Sequence, residues 1–250
     1  MKLTWTVFFA IFTGTSIFGP VQADFVGINI GAGHWSPTLS GSFNSNNGGT
    51  SIDLEDDLRV NDEAQTSLVL TIEHAVTALP NIRYQGFALD SSGISTPTSD
   101  LAFNGETFTS GNEIRSNFNL SHDDIVLYYQ LLDNWIDLDM GVDLKRFDGE
   151  VELNGSSSTR VDVDETIPML YLSARYEFPY SGFYIGADIN NLSLSDSDAE
   201  DSTLKLGYKS GDGLGLEGGI KTFSLKLDDA NNLDTDIKYD GIFLNGYYNF

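Results

Sequence analysis

The chain contains no cysteine. That removes disulfide scaffolds, thiolate metal sites, thiol nucleophiles and a cysteine-borne lipid anchor together. Basic residues are scarce, with 13 Lys and Arg against 37 Asp and Glu, a net charge of −24 over 250 residues. A chain this acidic repels phosphate backbones, which excludes nucleic acid as a partner. Beyond the N-terminal stretch no apolar run approaches the roughly 18 residues that a helix needs to cross a bilayer, and helical periodicity is hard to find anywhere. At 40% apolar residues the chain is nonetheless too hydrophobic to be disordered.

The first residues set the compartment. Lys2 is the only charge before Asp24, an apolar stretch runs from Leu3 to Phe18, and Gly19-Pro20 breaks it. Val21-Gln22-Ala23 has the small-residue spacing at which a secretory signal peptide is cut. The expectation is a signal peptide over 1–23, cleaved before Asp24, and one domain over 24–250.

Past that point alternation with period two recurs to the end. Ile136, Leu138, Met140, Val142 and Leu144 alternate with Asp137, Asp139, Gly141, Asp143 and Lys145, and nine comparable sets bring the total to ten candidate strands. In one set the apolar parity switches near Thr222, to Phe223, Leu225 and Leu227, which reads as a β-bulge. Connections near 75–81, 133–134, 179–182 and 210–213 are short. Those near 36–64, 91–113, 154–160, 190–202 and 228–235 read as longer polar loops, so short and long alternate strictly. A transmembrane barrel sorts its connections in this way, with short periplasmic turns and longer outer loops. The expected fold is all-β, an antiparallel up-and-down transmembrane β-barrel of ten strands, with eight or twelve as alternatives.

Parity also assigns the faces. Glu73, Asp137, Asp139, Asp143, Glu177, Asp188 and Glu217 fall on the inward class, opposite Arg83, Lys145, Arg175, Lys205, Lys209 and Lys221. A small barrel with such an interior is expected to be plugged by its own ion pairs. The final Gly246-Tyr247-Tyr248-Asn249-Phe250 resembles the last strand of Gram-negative outer-membrane barrels, which implies engagement of the barrel-assembly machinery through Phe250. Glu73-His74, Leu79-Pro80-Asn81-Ile82-Arg83 and Leu127-Tyr128-Tyr129-Gln130-Leu131-Leu132-Asp133-Asn134-Trp135 resemble a family of outer-membrane proteins of about this length. The resemblance covers most of the mature chain and implies an integral barrel in the cell outer membrane. It carries no substrate and no catalytic residues.

Chemistry-bearing residues are few. Of three histidines, His34 and His122 fall towards the outer rim, and His122 with Asp124 or His34 forms the candidate set for a rim-located hydrolase acting on lipid or peptide. His74 sits at the periplasmic end, where it is expected to brace a turn. Among the acidic runs, including Asp53 to Asp57, the stretch holding Asp196, Asp198, Glu200 and Asp201 is the candidate for weak calcium or magnesium association at the outer loops. No other cofactor is indicated. The leading functional expectation is a structural or surface role, or narrow passive transport, with outer-membrane lipid and lipopolysaccharide as partners; the rim hydrolase is the alternative.

Overall fold

The computed structural model describes residues 26–45, 49–194, 197–230 and 233–250; the segment expected to be a signal peptide lies outside them. Ten strands form the wall: β1 (Val26–Ser45), β2 (Gln65–His74), β3 (Asn81–Ala88), β4 (His122–Leu132), β5 (Ile136–Asn154), β6 (Ser158–Glu177), β7 (Phe183–Leu194), β8 (Ser197–Lys209), β9 (Leu214–Ala230) and β10 (Leu233–Asn249). Each pairs antiparallel with its sequence neighbours, and β10 returns to β1 from Asn29↔Asn249 to Ser45↔Leu233, which closes the ring. The expected ten-stranded up-and-down barrel is the observed one.

One end carries the short turns. His74 braces the first of them as expected: its backbone N–H donates to Asn81 Oδ1 at 3.0 Å and its Nε2 lies 3.2 Å from the Pro80 carbonyl. Gly182 completes the third with a φ of 74° and sits where a Cβ would meet the Lys209 carbonyl at 2.6 Å, so both conformation and space require glycine. By the length rule this end is periplasmic.

The opposite end differs from expectation. The segments 154–160, 190–202 and 228–235 are not long loops. β5 runs to Asn154 and β6 resumes at Ser158, β7 runs to Leu194 and β8 starts at Ser197, and β9 and β10 extend to Ala230 and from Leu233. The wall continues outwards as tall hairpins. The connections β1–β2 and β3–β4 are long, and they carry short strands of their own. Ile52–Asp53 pairs with β1, Leu101–Phe103 pairs with Glu106–Phe108, and Asp90–Ser95 pairs with Ile114–Asn119, which docks on the outer part of β5.

The tall hairpins read as loops because the chemistry of the two faces reverses along them. On β5, Ile136, Met140, Val142 and Leu144 point outwards and are exposed, followed on the same parity by Arg146 and Asp148. Inwards, Asp137, Asp143 and Lys145 give way to Phe147, Val151 and Leu153, all buried. The register against β6 is unbroken from Ile136↔Tyr176 to Asn154↔Ser158, so the pleat never slips. Lipid surrounds the lower half and selects apolar residues outside; water surrounds the upper half and selects polar ones there, driving the apolar residues in.

The same reversal corrects the bulge expected near Thr222. β9 pairs with β8 and β10 without interruption through Thr222, and its one irregularity lies between Leu227 and Ala230. Leu216 and Ile220 face out while Glu217, Lys221, Phe223 and Leu225 all face in. Phe223 and Leu225 kept their face; the solvent outside changed.

Two outward positions on one strand therefore differ in cost. Val142→Arg, in the lipid belt, is expected to destabilise the vesicle-reconstituted barrel by about 2–4 kcal/mol. Asp148→Arg, three residue pairs further out, is expected to change stability by no more than about 0.5 kcal/mol. Guanidinium titration followed by tryptophan fluorescence measures both, and equal losses would contradict the membrane boundary drawn between Leu144 and Arg146.

Candidate functional site: a charged lumen beneath an aromatic septum

The inward faces enclose a polar cavity of about 550 Å³ that runs from the periplasmic rim, at His74, Asp133 and Lys209, up to Trp35, Phe87 and Asp124. Most of the charges assigned inwards by parity line it, Asp143, Glu177 and Lys145 excepted, and several of them pair across strands. Arg175 Nε donates to Asp137 at 2.7 Å, and Lys205 Nζ donates to Asp188 at 2.6 Å, with Ser173 Oγ donating to the other Asp188 oxygen at 2.6 Å. Tyrosines that parity could have found, but charge alone did not, complete the network. Tyr184 donates to Glu217 at 2.8 Å, Tyr247 donates to Tyr184 at 3.0 Å, and Tyr128 donates to Glu73 at 2.7 Å.

The outer end of this cavity is closed by a compact layer. Lys145 has no exposed side-chain surface; its ammonium donates to both Asp124 oxygens at 2.8 Å and to Asp201 at 3.1 Å. Lys221 donates to the second Asp201 oxygen. The two ammonium groups sit over ring faces, Lys145 at 5.3 Å from the Phe223 centroid and Lys221 at 4.8 Å from that of Phe87. The His122 ring lies against Phe87 (4.9 Å), Phe147 (5.1 Å) and Phe223 (5.7 Å), with Nδ1 2.9 Å from the Leu120 carbonyl. Above it Tyr239 packs on Trp35 and Phe223, and beyond them Leu39, Phe43, Leu54, Phe103 and Phe118 continue a dry core between the tall hairpins.

The fold distributes the candidate site residues over different environments. His122 and Asp124 lie together, buried inside the wall, whereas His34 on β1 faces outwards, so the fold brings two of the three hydrolase candidates together and leaves His34 on the opposite face. Asp201 is a lumen residue, while Asp198 and Glu200 on the same strand point out into solvent, because strand alternation separates odd from even positions. Asp198 accepts from Ser193 at 2.5 Å, and Asp196 lies outside the described residues. The acidic run at Asp53 braces its own turn, with Asp53 Oδ1 accepting from the Glu55 and Asp56 amides and Asp57 Oδ2 from the Asp53 amide.

His122, Asp124 and Asp201 do bring ligand atoms within 4.8 Å of one another. The fit to a divalent cation is poor, because Lys145 grips both oxygens of Asp124 and shares Asp201 with Lys221. The two ammonium groups already occupy the positions from which a cation would neutralise these carboxylates.

A closed antiparallel ring with an apolar outer belt and a charged interior defines a transmembrane β-barrel of the outer-membrane type. No family model and no curated protein matches the chain. Among solved structures it is similar to the outer-membrane protease OmpT from Escherichia coli, with 15% identity over 90% of this chain and 97% of that one and a TM-score of 0.49. It is also similar to an outer-membrane channel from Pseudomonas putida F1 (11% identity, 93% and 100% covered, TM-score 0.43). A third is Ail, the attachment invasion locus protein of Yersinia pestis (10% identity, 90% and 99% covered, TM-score 0.34). These are likenesses in the general course of a barrel, and no residue role passes across them.

Removing Lys145 leaves Asp124 and Asp201 buried with one cation fewer. Lys145→Ala is expected to cost about 3–5 kcal/mol. Lys209→Ala, at the open rim where the side chain is 39% exposed and 3.9 Å from Glu177, is expected to cost no more than about 1 kcal/mol. Chemical unfolding in detergent micelles compares them, and equal losses would contradict a septum held by Lys145.

Proposed function

We propose that this protein is an integral outer-membrane barrel sealed at its outer end, which serves the cell envelope as a surface-exposed structural element and not as an open pore. The observation that supports this reading is the septum: Lys145 locked between Asp124 and Asp201, under a layer of Trp35, His122, Phe147, Phe223 and Tyr239. A hydrated solute would have to break those ion pairs and then cross the apolar core above them.

The outer hairpins, acidic on their water-facing sides, would meet the lipopolysaccharide layer, with divalent cations such as calcium or magnesium between their carboxylates and its phosphates. Phe250 would act as the mark read by the barrel-assembly machinery. Its ring is exposed at the end of the wall, and its backbone N–H donates to the Ile28 carbonyl at 2.8 Å, so it belongs to the closing seam. Cleavage before Asp24 would deliver the mature chain to that route.

Recordings in planar bilayers test the sealed state. The refolded full-length mature protein is expected to give no steady conductance. Stable porin-sized steps from the unmodified chain would overturn the sealed barrel and promote transport to the leading function.

A further inference from the structure

The lower lumen contains one cation that stands apart from the rest. Arg175, Lys145, Lys205 and Lys221 are each ion-paired. Arg83 lines the same cavity, yet among the described residues it forms no ion pair and no hydrogen bond. Its guanidinium lies 5.4 Å from the centroid of the Tyr171 ring and 6.0 Å from that of Tyr128. Those two rings meet edge to face at 5.8 Å, and Gly141 between them lets them do so, since a Cβ there would lie 2.8 Å from the Tyr128 Cβ. Asp188 and Asp139 are close enough to act on it electrostatically but neither forms an ion pair with it, so the guanidinium, held over ring faces, keeps N–H donors for a further carboxylate.

Unpartnered groups surround it. The Tyr171 hydroxyl is buried with no hydrogen-bond partner, as are one carboxylate oxygen of Asp139 and the amide oxygen of Asn190. Asn190 is the direct cross-strand partner of Tyr171, and Asp139 pairs with Ser173, one inward position closer to the periplasm on the same strand as Tyr171. All four residues line the cavity. Buried polar groups without partners are uncommon, and several that line one cavity with a guanidinium lacking any hydrogen bond call for a ligand that satisfies them together.

We propose that this half of the lumen binds a small zwitterion the size of an amino acid or dipeptide, entering from the periplasmic end. Its carboxylate accepts from Arg83 and the Tyr171 hydroxyl, and its ammonium donates to Asp139 and Asn190. The proposal rests on the barrel being closed at the outer end and open at the periplasmic one.

The test is calorimetric titration of the folded mature protein in micelles with glycylglycine, acetate and ethylammonium as probes. Glycylglycine is expected to bind saturably, and about tenfold or more tighter than either single-charge probe. Tyr171→Phe breaks no bond within the protein, so it should fold as wild type, checked by heat-dependent electrophoretic mobility, and weaken glycylglycine about tenfold. Arg83→Gln should abolish saturation. Absence of saturable glycylglycine binding at about 10 mM, equal binding of acetate, or an unchanged affinity in Tyr171→Phe would each overturn the proposal. Steady conductance in bilayers would instead refute the sealed outer end, and it is read independently of the titration.

Discussion

Backbone hydrogen bonding inside a bilayer is the constraint on which the rest of this structure depends. No water reaches the amides there, so every strand needs a neighbour on both edges and the sheet has to close on itself. The seam between β1 and β10 meets that demand from Asn29↔Asn249 upwards, and the Phe250 amide extends it to Ile28. Closure fixes which way each side chain points for the full height of the wall. The charged lumen, the septum and the outer core are consequences of that single pleat meeting different surroundings at different heights.

Hydrophobic stabilisation is correspondingly uneven. In the belt, side chains such as Leu204, Leu206 and Ile242 face lipid that is as apolar as they are, and little is gained by turning them inwards. Outside the membrane water surrounds the wall, and burial of Phe43 against Phe103 and Phe118, with centroids 5.1 and 5.3 Å apart, contributes as it does in any soluble core. The septum sits at the changeover. Lys145 and Lys221 belong to the ionic lumen below, while the Phe87 and Phe223 faces against them belong to the aromatic layer above.

The strand count, the faces and the position of the turns were legible because a dyad alternation is written plainly where lipid lies on one side. Asp137, Asp139 and Lys145 could be placed inwards on that basis alone. What lay beyond the belt was misread for a physical reason. Once water replaces lipid, the same parity carries the opposite chemistry, so Phe223 and Leu225 looked like a slip of register and the hairpins of β5–β6, β7–β8 and β9–β10 looked like loops. The candidate site suffered in the same way. Asp201 lies on the parity of Thr203 and Lys205, which extends the lumen face outwards, yet composition alone groups it with Asp198 and Glu200. The lumen tyrosines Tyr128, Tyr171 and Tyr184 are hard to single out in the sequence, because aromatic residues in a barrel strand suggest the girdle before they suggest the interior.

One unbroken pleat changes chemistry at the membrane surface, between Leu144 and Arg146. The absence of native cysteine allows spin labels to be placed singly and without background. Leu138→Cys, Met140→Cys, Val142→Cys, Leu144→Cys, Arg146→Cys, Asp148→Cys and Glu150→Cys, each labelled in the vesicle-reconstituted protein, can be probed for collision with oxygen and with a water-soluble nickel chelate. Lipid-like accessibility is expected up to position 144 and water-like accessibility from 146 onwards, all on the same outward face. Side chains at 146, 148 and 150 shielded from both probes, as a slip of register would turn them inwards, would contradict an unbroken pleat.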